Sequence, residues 1–347
     1  MRENFIDYLK CPLCEGSSFE LIVQEQNATE IREGQILCSG CQAKFTISRG
    51  VLDFLPNPNP IVEKVQGGCL KHDLLPGGLS FKLKDLDRYE KQILALPDGD
   101  GSDIFKRDTL FRNISDAAYV FYQGLSLLRL TGKERLLDLG ADICWSTNKF
   151  AELGCQCVAL DINHHLPVSD VYIHKNNVYF ERIVTDMGDL PFADKSFDIV
   201  VTVTSIHHAS DLGNTFREIA RVLAPRGKAI LINEPVRRIF ASKDYGSERS
   251  RELMLNENHY TALEYHSAAK KAGLKLTFKP NIPPILFSIA PSDRRWKKMI
   301  KPFLNKYPWR IIKSFLDKYP WITRFARVPI HILLFYKPVK MMMTAHK

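Results

Sequence analysis

The chain has 347 residues, 45% of them hydrophobic and 25% charged, with a formal net charge of +9. This balance excludes a disordered or low-complexity chain and leaves room for two domains around at least one large core. The N-terminal "MRENFIDYLK" offers no apolar signal region and the late stretch "VPIHILLFY" is far too short to span a bilayer, so a soluble, cytoplasmic protein is expected.

The charge is unevenly placed. Residues 294–347 hold 14 Lys/Arg against the single acid Asp317, a local charge of +13, which leaves −4 on residues 1–293. Whatever the basic character attracts is attracted to that tail. Of the eight cysteines, four form two close pairs, and Cys69, Cys144, Cys155 and Cys157 are scattered. That pattern suits a reducing compartment better than a disulfide framework.

Residues 1–56 carry "CPLC" at 11–14 and "CSGC" at 38–41, 23 residues apart. "FELIVQ" between them alternates as a strand does, and "KFTISRGVLDFLP" reads as strand, turn at Gly50 and closing apolar stretch. Cys11, Cys14, Cys38 and Cys41 can place four thiolates at tetrahedral corners, which suits Zn²⁺ in a closed structural site. A segment of about 55 residues scarcely folds on its own core, so the metal supplies stability. "YLKCPLC…ILCSGCQAKFTISRGVLDFLP" resembles the small zinc-ribbon activator proteins that partner tRNA and ribosome methyltransferases, and the zinc ribbon fused ahead of some rRNA guanine methyltransferases.

Residues 57–132 read as linker and helical lead-in. "PNPNP" at 56–60 cannot continue a strand or helix. "GGCLKHDLLPGGLSFKLKD" looks irregular, while "KDLDRYEKQILAL" and "SDAAYVFYQGLSLLRL" have helical spacing, the second with Ser115 as an N-cap.

From 133 to 347 strands and helices alternate. The strands are "ERLLDLG", "CQCVALDI", "VYFERIVTD", "FDIVVTVTS", "KAILINEP", "LKLTFKP" and "HILLFYKP" (331–338); the helices include "STNKFAELG", "DLGNTFREIARVLAPRG" and "TALEYHSAAKKAG". This rhythm predicts an α/β fold: a doubly wound, Rossmann-like sheet of parallel strands, preceded by the zinc ribbon and carrying a helical insertion at about 281–329 before the last strand. Within that insertion "FLNKYPW" returns as "FLDKYPW" twelve residues on, which reads as two short helices of similar design.

The first strand of this part ends in "LLDLGADICWS". Asp138 and Gly140 stand at the turn, Asp161 ends the second strand, and Asp186 follows the third with Met187 beside it. An acid at the second strand end is placed to accept from ribose hydroxyls, and one after the third to accept from an adenine amino group. A pyrophosphate wants glycine-rich N–H groups at a helix N-terminus, whereas Asp138 and Asp142 repel phosphate and suit a guest with an ammonium and a sulfonium. "LLDLGADICWS…FAELGCQCVALDI…VTDMGDLPFADKSFDIVVTVTSIHH…FREIARVLAPRGKAILINEP" resembles the class I S-adenosylmethionine-dependent methyltransferases, type 11-like, over about 130–340. The resemblance implies S-adenosylmethionine as cofactor. It sets Asp138, Gly140 and Asp161 along its methionine and ribose, Asp186 and Met187 at the adenine, and Thr204 and Ser205 beneath the methyl group; Asp142, facing the ammonium group, and Ile162 are further cofactor-binding candidates. Family members usually have glycine or another small residue where Asp142 and Cys144 stand; if those positions need positive φ, the strain is about 1–2 kcal/mol.

Methyl transfer is an in-line displacement that needs an aligned nucleophile and, for a weak one, a base. The catalytic candidates are His207 and His208 after the fourth strand and Glu234 after the fifth. The alternatives are that the histidines shape the pocket and that Glu234 caps a turn. Tyr119 and Tyr122 either cross the cofactor or belong to the core. The tail "RRWKKMIKPFLNKYPWRIIKSFLDKYPW" mixes bases with aromatics and aliphatics. It reads as a lid or an element for an anionic membrane surface, at the inner membrane face, or alternatively as a nucleic-acid surface. The expected function is methyl transfer to a small-molecule, lipid-linked or glycan-precursor acceptor. An RNA methyltransferase and a non-catalytic scaffold with a degenerate cofactor loop stand as alternatives.

Overall fold

The computed structural model of the chain describes residues 1–58, 60–74, 86–237, 257–280 and 339–346. The N-terminal segment supplies β1 (Phe19–Gln26), β2 (Ile31–Cys38), β3 (Lys44–Ser48) and β4 (Val51–Asp53). Helices α1 (Pro60–Leu74), α2 (Leu86–Leu94), α3 (Ile104–Arg107) and α4 (Thr109–Leu128) follow. The alternating part runs β5 (Arg135–Leu139), α5 (Trp145–Glu152), β6 (Gln156–Asp161), α6 (Asp170–Lys175), β7 (Glu181–Val184), β8 (Phe197–Val203), α7 (Leu212–Val222) and β9 (Leu223–Val236). It closes with α8 (Ala262–Lys271), β10 (Lys275–Pro280) and β11 (Val339–His346).

The described strands join one sheet in the order β1-β2-β3-β4-β7-β6-β5-β8-β9-β11-β10. The run from β4 through β9 is parallel, and the expected all-parallel sheet is corrected at its far side, where β11 lies antiparallel between β9 and β10. Central strands are apolar on both faces because helices cover both: Leu136, Leu137, Asp138 and Leu139 are all buried. Leu137, Leu139, Val200 and Leu231 belong to one core, and Leu136, Val201, Ile230 and Ile232 to the other. The first core is continuous with Phe5, Ile36, Phe45 and Phe54 of the N-terminal segment.

The seam between that segment and the α/β sheet is also ionic. Arg182 on β7 is fully buried; it donates to Asp170 Oδ1 at 2.6 Å and to Glu30 Oε2. Glu30 also accepts from Arg32 (2.7 Å) and the Met1 ammonium (3.1 Å), and Arg32 returns to Asp170 at 2.8 Å. Burial alone raises the Glu30 and Asp170 carboxyls, but Arg182 and Arg32 beside them hold both below their usual range.

Several elements differ from expectation. The stretch that looked irregular enters α1, which starts at Pro60, where a missing N–H costs nothing. The N-cap of α4 is Asp108, accepting from the N–H groups of Leu110 and Phe111, so Ser115 lies inside the helix. Strands β2 and β11 were not foreseen. The insertion at 281–329, its repeat and the strand expected at 331–338 lie outside the described residues. Among the described residues no helix is long and apolar enough to cross a membrane.

Candidate active site and cysteine cluster

The parallel run reverses its direction of growth between β5 and β8, and ligands of open α/β sheets bind at the carboxyl ends of such a pair. Gly140 follows β5 at φ +75°, and a Cβ there would lie 2.4 Å from the Cβ of Ser205 and 3.8 Å from Cε of Met187. Only glycine therefore serves at this turn, and Gly140, Met187 and Ser205 converge on one point. Ser205 is fixed by donating to the Leu139 carbonyl at 2.6 Å and by its contact with Thr202 Oγ1 at 2.5 Å. Thr204 adopts φ 53° and accepts from Asn233 at 3.0 Å.

Asp138 is fully buried. Its Oδ2 accepts from Ser146 and Thr147, both at 2.7 Å, whereas its buried Oδ1 has no partner. Burial pushes the carboxyl up to about 6, against the pull of the two hydroxyls. Asp161 accepts from the N–H of Asp142 on one oxygen and of Asn163 on the other, each at 2.8 Å. Burial first, then the Asp142 charge, raise it to about 6.

Asp142 and Cys144 take φ 47° and 61°, so the two residues standing where glycines were expected are both left-handed. Asp142 is bound to Nδ1 of His165 at 2.7 Å, so its charge is engaged by the protein. Cys144 is buried at the start of α5. Ile162 lies at the same edge, and its carbonyl accepts from Gln66 of α1 at 2.6 Å. Asp186 Oδ1 accepts from the Gly188 N–H at 2.9 Å, two residues beyond Val184, the register partner of Asp161.

Glu234 is fully buried, and its contacts fit the alternative in which it caps a turn. One oxygen accepts from the N–H groups of Ser205 (2.8 Å) and Ile206 (3.3 Å), the other from His207 Nδ1 (2.8 Å). His207 is itself buried, with Nε2 at 3.5 Å from Glu257. Burial would lower its pKa, but hydrogen bonds to Glu234 and Glu257 raise it to about 9. Both ring nitrogens of His207 face carboxylates, Glu234 and Glu257, an arrangement that suits the pocket-shaping alternative. The ring of His208 lies 4.0 Å from that of His207, centroid to centroid. Tyr119 and Tyr122 point outward, Tyr122 donating to Asp98 at 2.8 Å, and neither joins the core. Sequence reasoning missed Ser146, Thr147, His165 and Glu257. The Ser-Thr pair opening the helix after "DLG" was the available signal.

Away from this edge, Cys11, Cys14, Cys38 and Cys41 place their sulfurs within 4.8 Å of one another. Cys11–Cys41 and Cys14–Cys38 are 3.6 and 3.5 Å apart, close to the ~3.8 Å edge of a tetrahedron with metal–sulfur bonds of about 2.3 Å. The residue after each pair, Glu15 and Gln42, is left-handed and donates back to the first cysteine's carbonyl at 2.8 and 2.9 Å, so the two pairs sit on matching knuckles.

Residues 137–231 match a family profile described as "Methyltransferase domain". Demethylmenaquinone methyltransferase of Mycobacterium marinum is 32% identical over 124 residues, 35% of this chain and 52% of that protein. The enzyme of the same name from Corynebacterium efficiens is 34% identical over 122 residues, 34% of this chain and 51% of its own. The solved YcgJ protein of Bacillus subtilis covers 66% of this chain and 98% of its own at 16% identity and a TM-score of 0.43. The chain spans about half the length of the curated relatives it matches. Over residues 137–231 the chain therefore resembles a methyltransferase domain.

Proposed function

We propose that the chain transfers the methyl group of S-adenosylmethionine to a small-molecule acceptor. The observation that carries this is the buried, unpartnered Oδ1 of Asp138 beside the Gly140–Ser205–Met187 convergence at the sheet's reversal point. An orphaned acceptor of this kind wants a donor that the protein does not provide. When bound, S-adenosylmethionine supplies an activated methyl group on a sulfonium. Asp138 and Asp161 would hold its cationic and hydroxyl groups, Met187 and Asp186 its adenine, while Thr204 and Ser205 form the floor. Glu234 and His207 position the loop that bounds the acceptor side. The names of the relatives favour a lipid-like acceptor such as a quinone precursor.

The left-handed residues that motivated a scaffold reading support the enzyme reading instead, because Asp161 and His165 hold Asp142 in place. Calorimetric titration of the full chain with S-adenosylhomocysteine tests this. Binding is expected, and none detectable at millimolar ligand overturns it.

We also propose that the four cysteines hold one structural Zn²⁺. Their sulfur spacing supports this, and four protein ligands leave no open catalytic position. Elemental analysis should give zinc that is lost in Cys11→Ser.

Pro280 and Val339, which flank residues 281–338, lie beside the end of β9, in the register rows of Glu234 and Val236. Contact with an anionic membrane surface through that segment would bring a lipid-linked acceptor to the same edge.

A further inference from the structure

The segment that follows β8 and the segment that precedes α8 bring together a set of ligand atoms that methyl transfer itself does not require. His207, His208 and Glu257 each offer one atom, all within 4.8 Å of one another. The Nε2 of His207 is 3.5 Å from Oε2 of Glu257, close to the ~3.3 Å edge of a tetrahedron with bonds of about 2.0–2.1 Å. His259 adds a further imidazole, with Nε2 3.7 Å from the same carboxylate oxygen.

A second observation points the same way. The Nδ1–H of His207 donates to Glu234 at 2.8 Å, and Glu234 is fully buried and fixed by two backbone N–H groups. A carboxylate on one ring nitrogen is the arrangement that orients a histidine for ligation through the other. Two carboxylates flanking one imidazole, with a second imidazole 4.0 Å away centroid to centroid, also make a place that favours a positive charge.

We propose that His207, His208 and Glu257 bind a divalent first-row metal cation, with Glu234 as the positioning residue behind His207. Two imidazoles and a carboxylate suit Zn²⁺, Co²⁺ or Fe²⁺ and leave coordination positions open. The site lies at the carboxyl edge of β8, two residues beyond Ser205. Its open positions would take an oxygen of the acceptor and orient it. That acceptor role rests on the methyl-transfer reading; cation binding does not.

The test is Co²⁺ titration of the full, zinc-loaded chain. One additional equivalent should bind, with visible d–d bands and without the thiolate charge-transfer absorption of a cysteine site. His208→Ala and Glu257→Gln should abolish that equivalent, and Cys11→Ser should keep it. Glu234→Gln should weaken it roughly 10- to 100-fold. Circular dichroism of each variant separates lost binding from lost fold, and His208 and Glu257 are chosen because neither is fully buried. No Co²⁺ beyond a thiolate site, or binding unchanged in both His208→Ala and Glu257→Gln, overturns the proposal. Titration with S-adenosylhomocysteine reads the methyl-transfer hypothesis separately.

Discussion

The backbone N–H of Asp142 donates to Oδ2 of Asp161 at 2.8 Å, which ties the turn after β5 to the end of β6. The same carboxylate expected to receive a ribose thus also holds the cofactor loop in its left-handed shape. If the proposed cofactor role holds, loop geometry and cofactor binding depend on one side chain.

Asp142 separates the needs of the backbone from those of the side chain. At φ 47° an alanine carries the left-handed strain without the bond to His165. Asp142→Ala should weaken S-adenosylhomocysteine binding by about 5- to 30-fold, the equivalent of ~1–2 kcal/mol. Asp142→Gly adopts the same φ without strain and should bind within about threefold of the parent. Equal losses in both variants would assign the effect to the side chain alone.

Cofactor affinity should depend on acid. Asp138 and Asp161 both titrate near 6, because burial raises them. A guest that carries positive charge and donates hydrogen bonds prefers both ionised. Affinity for S-adenosylmethionine should hold above about pH 7 and fall below pH 6 by up to tenfold per pH unit for each carboxylate that must lose a proton. A flat profile between about pH 5 and 8 contradicts the placement of these residues.

The same shift predicts a trade between stability and binding. The folded pKa of Asp138 is raised from 3.8 to about 6. Its contribution to stability is therefore fully present below the unfolded pKa and is lost as pH rises through the folded one. At pH 8 the ionised, enclosed carboxylate costs on the order of 3 kcal/mol. Asp138→Asn keeps an acceptor for Ser146 and Thr147. It should raise the melting temperature of the cofactor-free protein at pH 8, do so by about half as much at pH 5, and abolish cofactor binding.

Arg182 joins the N-terminal segment to the sheet through Glu30 and Asp170. Arg182→Met leaves two enclosed carboxylates without their shared cation and should cost about 3–5 kcal/mol in denaturant unfolding. Both carboxylates titrate low in the folded protein. Their stabilisation is therefore present above the unfolded carboxylate range and is lost only as pH falls through the depressed folded values. The defect of Arg182→Met should shrink in strong acid.

The basic tail is tested by flotation with anionic vesicles. The full chain should float and a chain lacking 292–327 should not, with the difference fading as salt rises. Equal flotation removes that segment from membrane contact.

The strand ends that build the site were legible in the sequence because apolar runs locate buried strands and the residues after them fall at one edge. The left-handed need at Asp142 and Cys144 was legible too, as a glycine turn without its glycines. Strand β2 was not, because Gly34 reads as a breaker, whereas a Cβ there would meet the Ile22 carbonyl at 2.5 Å and β1 needs the gap. The enclosure of Glu234 was equally hidden. Its partners, the N–H groups of Ser205 and Ile206 and the ring of His207, lie almost thirty residues earlier in the chain and meet it only across the β8–β9 pair. The parallel pairing of β4 with β7 left no local trace, since each strand's own pattern is satisfied by any apolar neighbour.

That pairing decides where the sheet ends. Strand β7 is short and almost wholly buried, and without β4 its free backbone groups would form an open, sticky border. The N-terminal strands move the border outward to β1, which carries Glu20 and Glu25 and whose ladder slips between Val23 and Glu25. A charged, irregular rim repels a second copy where a flat one would recruit it. If the four cysteines hold the proposed ion, its loss should announce itself first as clumping of the protein, before any change at the distant turn after β5.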